Sequence, residues 1–147
     1  MGISDAFATG PHKRNLGHFA NIVKMALIDN EITEGEAKFL KRKARSLNIT
    51  DEEVARIIKN PDLYPMNPPV GYDESIIRLY RITTMLYADD SPSKEEVAFL
   101  KKIITGLSFK LEDVDKIASE AVHLILNDND EDDFAKAIKT VASDLYE

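Results

Sequence analysis

Residues 22–57, IVKMALIDNEITEGEAKFLKRKARSLNITDEEVARI, align without a gap against residues 82–117, ITTMLYADDSPSKEEVAFLKKIITGLSFKLEDVDKI. The offset is 60 residues, and eleven of the thirty-six positions are identical. The identities are Ile22/Ile82, Met25/Met85, Asp29/Asp89, Glu36/Glu96, Phe39/Phe99, Leu40/Leu100, Lys41/Lys101, Leu47/Leu107, Glu52/Glu112, Val54/Val114 and Ile57/Ile117. Most are apolar residues at helical spacing, so one core-forming helical unit is used twice. Two copies are too few for an open solenoid. A compact pair in which each copy buries the other's apolar face is the simpler expectation.

Each unit reads as three helices. The first begins near Pro11 or Lys13, ends near Asp29, and carries Leu16, Phe19, Ala20, Val23 and Leu27 as its stripe. Thr33 with Glu36 forms a capping box for a second helix with Ala37, Leu40, Ala44 and Leu47 on one face. Thr50 with Glu53 starts a short third helix carrying Val54, Ile57 and Ile58. The plan recurs. A fourth helix is expected from about Glu74 to Ala88, and Ser93 with Glu96 caps a fifth bearing Val97, Leu100, Ile104 and Leu107. Gly106 stands at its end, where glycine is favoured. A sixth helix covers about Leu111 to Leu126, and a seventh about Asp132 to Leu145. No stretch alternates at period two, so no strand is expected.

The fold class is therefore all-α. The expectation is one compact bundle of about seven helices, made of two pseudo-symmetric three-helix units. Within residues 1–147 the units cover about 12–59 and 74–126, with a connector at 60–73 and the last helix at about 132–145. The connector, NPDLYPMNPPVGYD, holds four Pro and one Gly, which forbid a continuous helix. Its Leu63, Tyr64, Met66 and Tyr72 suggest a segment packed on the surface.

Composition narrows the function classes. The chain has 147 residues, no Cys and a formal net charge of −7. Absence of Cys excludes disulfides and thiolate metal sites and fits a reducing compartment. Residues 1–72 carry net +1 and residues 73–147 net −8. An acidic chain is a poor general binder of nucleic acid, although its acidic half suits cations or a basic partner. No apolar run approaches the ~18–20 residues needed to span a bilayer, and Met1 to Lys13 lacks a secretory apolar run. A cytoplasmic chain is expected, without membrane contact.

Both units place an acidic turn between their first two helices: Asp29-Asn30-Glu31-Ile32-Thr33, with Glu36, and Asp89-Asp90-Ser91-Pro92-Ser93, with Glu96. The first of these, followed by Phe39-Leu40, resembles the pattern A-D-G-E-I-[ST]-x-x-E and then F-L of the TerB-like family of tellurite-resistance proteins. Asn30 stands where that pattern has Gly, and Ser91-Pro92 replace its Glu-Ile pair in the second copy. The resemblance covers about residues 12–145. It implies a helical module linked to tellurite and general stress resistance, similar also to the N-terminal region of a membrane-anchored J-domain co-chaperone. It further implies either divalent-metal binding through acidic residues or a role as an interaction module.

The residues themselves say less. Glu36 and Glu96 are explained by their capping boxes. Asp29 and Asp89, read as lying at helix C-termini, face an unfavourable macrodipole, so an Asx-type turn, a cation or a basic partner must offset it. If Asp29, Glu31, Asp89 and Asp90 converge, they offer oxygen ligands suited to Ca²⁺, Mg²⁺ or Mn²⁺. EF-hand spacing fails, because counting from Asp29 puts Glu34 at the required Gly and Leu40 at the bidentate Glu. The Asp128, Asp130, Asp132 and Asp133 cluster suits the N-terminus of the last helix. Lys38, Lys41, Arg42 and Arg45 read as a solvated face, or as a docking patch for an acidic partner such as another copy. His12, His18 and His123 are scattered, and no H-E-x-x-H, G-x-S-x-G, P-loop or G-x-G-x-x-G occurs. The expectation is a binding module and not an enzyme. A divalent cation is its first candidate ligand, and a metal-independent scaffold for a protein partner or homodimer is the alternative.

Overall fold

Capping boxes fix where the helices start. In a computed structural model describing residues 10–27, 31–63, 71–88 and 91–142, the Thr33, Thr50 and Ser93 side chains each accept from the backbone N–H three residues on. The matching glutamates, Glu36, Glu53 and Glu96, accept in return from the backbone N–H of the capping residue at 2.9–3.0 Å. These reciprocal bonds satisfy two of the donors that every helix start leaves open.

The described elements are α1 (Gly10–Ala26), α2 (Glu34–Arg45), α3 (Asp51–Lys59), α4 (Tyr72–Tyr87), α5 (Lys94–Gly106), α6 (Val114–Leu126) and α7 (Glu131–Val141). Short 3-10 turns occupy Pro61–Leu63 and Leu111–Asp113. No strand occurs among the described residues, so the chain is all-α as its periodicity predicts.

Boundaries shift in places. Helix α1 stops at Ala26, three residues before Asp29. Helix α4 starts at Tyr72 instead of near Glu74, because Gly71, at φ 89°, supplies the backbone turn at its N-terminus. The sixth helix begins as a 3-10 turn, and the last one runs from Glu131 to Val141, with Leu145 outside the described residues. Gly106 is the last residue of α5 and not its left-handed cap; Ser108, at φ 75°, takes that conformation.

The chain divides into two compact units, Met1–Asn67 and Pro68–Glu147. In the first, α3 packs against both α1 and α2, and the Pro61–Leu63 turn lies on α1 and α3. Lys24 and Asp62 pair there at 3.3 Å. Connector residues 64–70, including Tyr64 and Met66, lie outside the described residues. In the second unit α6 is central, packing against α4, α5 and α7, while α7 also packs on α4. Tyr80 of α4 meets Phe134 of α7 edge-on at 5.3 Å.

Leu16, Phe19, Ala20 and Val23 of α1, Leu40 and Ala44 of α2, and Val54 and Ile57 of α3 are buried. So are Ile76, Leu79, Ile82 and Leu86 of α4, Leu100 and Ile104 of α5, and Phe134 and Ile138 of α7. Leu27, Ala37, Ile58 and Val97 are only half-buried. At about 25 cal/mol per Å² of apolar area, these stripes supply the main drive for folding.

Candidate functional site

The two inter-helix turns share one local design. The burial pattern of residues 31–40 is identical to that of residues 91–100, position by position. Glu36 Oε1 accepts from Thr33 N–H at 3.0 Å, and Glu96 Oε1 accepts from Ser93 N–H at 3.0 Å. Both glutamates are thus helix-capping groups, as their spacing predicts.

The second turn carries an added tie. Tyr87, buried at the end of α4, donates its hydroxyl hydrogen to the Glu96 carbonyl oxygen at 2.8 Å. Burial, and next the nearby Glu96 charge, push the phenol above the ordinary tyrosine range, which favours the protonated form that donates this bond. Leu27 occupies the corresponding position 60 residues earlier and has no hydroxyl to make this bond.

Of the four candidate metal ligands, Glu31 is described and exposed; Asp29, Asp89 and Asp90 lie outside the described residues. Among the described residues no group of three or more His, Asp or Glu is placed to hold a metal ion. Helices α1 and α4 end at Ala26 and Tyr87, ahead of both aspartates.

The Asp128–Asp133 cluster serves α7. Asp130 is its N-cap, accepting from Asp133 N–H at 2.9 Å, and Glu131, Asp132 and Asp133 fill the first turn. Negative charge there complements the macrodipole.

The basic row on α2 is partly committed. Arg45 forms a bidentate pair with Asp51, Nη2 to Oδ2 at 2.8 Å and Nε to Oδ1 at 3.1 Å. That hydrogen bonding holds the Asp51 carboxyl below its usual range. Arg42 lies over the Phe39 ring at 5.4 Å and Lys43 at 5.8 Å, with Lys43 itself buried. Lys38 and Arg42 are exposed and Lys41 is half-buried.

One pairing has no local sequence signal. His12 Nε2 lies 3.1 Å from Glu53 Oε2, although 41 residues separate them. Burial pushes the Glu53 carboxyl up, but the Thr50 N–H and His12 outweigh it, leaving it below its ordinary range. Both partners carry tertiary roles: Glu53 caps α3 with one oxygen and meets α1 with the other. Tyr72 is likewise structural, its ring edge-on to Phe109 at 6.1 Å.

No described helix is long and apolar enough to cross a membrane. In comparisons with known proteins, no family model, no curated protein and no solved structure matches the chain.

Proposed function

We propose that this chain is a non-enzymatic, cytoplasmic binding module of the TerB-like kind, which holds a divalent cation through its acidic inter-helix turns. Asp29 and Glu31 of the first turn and Asp89 and Asp90 of the second are the proposed ligands. Their carboxylates suit hard cations such as Ca²⁺, Mg²⁺ or Mn²⁺. The supporting observation is the repeated capping box, which sets the exit from both turns in the same register. On the resemblance, its setting is tellurite or general stress resistance.

Calorimetric titration of the full chain with Ca²⁺, Mg²⁺ and Mn²⁺ tests the reading. Heat is expected in the wild type and is reduced in Asp29→Asn and Asp89→Asn. No heat at millimolar cation removes the metal claim. A metal-independent scaffold then takes its place, shown by a partner from the host that stays bound in chelator.

A further inference from the structure

We draw no further inference here: the strongest candidate, the cleft of about 200 Å³ between α4 and the start of α7 lined by Ile77, Tyr80, Arg81, Met85 and Glu131, is a largely apolar surface patch, and nothing in the structure shows what covers it.

Discussion

Asn48, Ser108 and Asp128 each adopt positive φ, at 60°, 75° and 58°, just past the ends of α2, α5 and α6. At Asn48 the reason is a Schellman cap: Ile49 N–H reaches Ala44 O at 3.0 Å and Asn48 N–H reaches Arg45 O at 3.1 Å. Asp128 and Asn129 repeat this with Ile125 and Leu124. At Ser108 the N–H bonds Thr105 O at 3.0 Å, but serine has no amide or carboxylate to ease the left-handed backbone. Ser108→Gly is expected to stabilise the chain by about 1 kcal/mol. Thermal melts should show a rise of about 2–4 °C, and a fall would contradict the cap. Glu53 gives a second prediction. Its folded pKa is lowered, so its contribution is present above the unfolded carboxylate pKa and is lost as pH falls through the lower folded value. Glu53→Gln keeps an oxygen for the Thr50 N–H but loses the charge facing His12 and the helix N-terminus, so it should be less stable than wild type at neutral pH by about 0.3–1 kcal/mol. Denaturant curves from pH 7 downward should show that gap closing in acid. A gap that widens below pH ~4 contradicts the assignment. The His12–Glu53 pair was not legible in sequence, because it depends on which elements meet and no local pattern encodes that.

Among elements, helix starts were more legible than helix ends. Three starts are written as Thr or Ser followed three residues later by Glu, a local signal with a local mechanism. Ends are set by backbone twist at residues such as Asn48 and Ser108, so Gly106 misleads by two positions. Gly71 caps α4 through its backbone alone, with no side-chain hydrogen bond, which is why the sequence places that start late. The repeat makes a quantitative test available. Thr33→Ala and Ser93→Ala remove equivalent caps and should each cost about 1 kcal/mol in urea unfolding. The two positions belong to separate boxes with no shared partner, so the double variant should lose the sum to within about 0.5 kcal/mol. Markedly unequal single losses would contradict the equivalence of the two turns.

At the scale of the molecule, charge and repeat divide the chain in nearly the same place. Residues 1–67 carry ten Lys/Arg and nine Asp/Glu, whereas residues 68–147 carry nine and seventeen. The all-α architecture was legible because apolar periodicity is strong in every segment and no segment alternates at period two. The candidate site was legible only as a motif. Its capping glutamates are seen in place and Glu31 is exposed, while Asp29, Asp89 and Asp90 lie outside the described residues. Whether the turns bind cations is therefore the claim on which the functional account rests. A titration of the ¹⁵N-labelled full chain with Mn²⁺, followed by amide line broadening, addresses it most directly, because paramagnetic loss maps where the ion sits. The amides of Glu31–Thr33, Ser91 and Ser93 are expected to vanish first, ahead of Glu131–Asp133. Earlier loss at the α7 N-terminus, or uniform broadening across the chain, would contradict it.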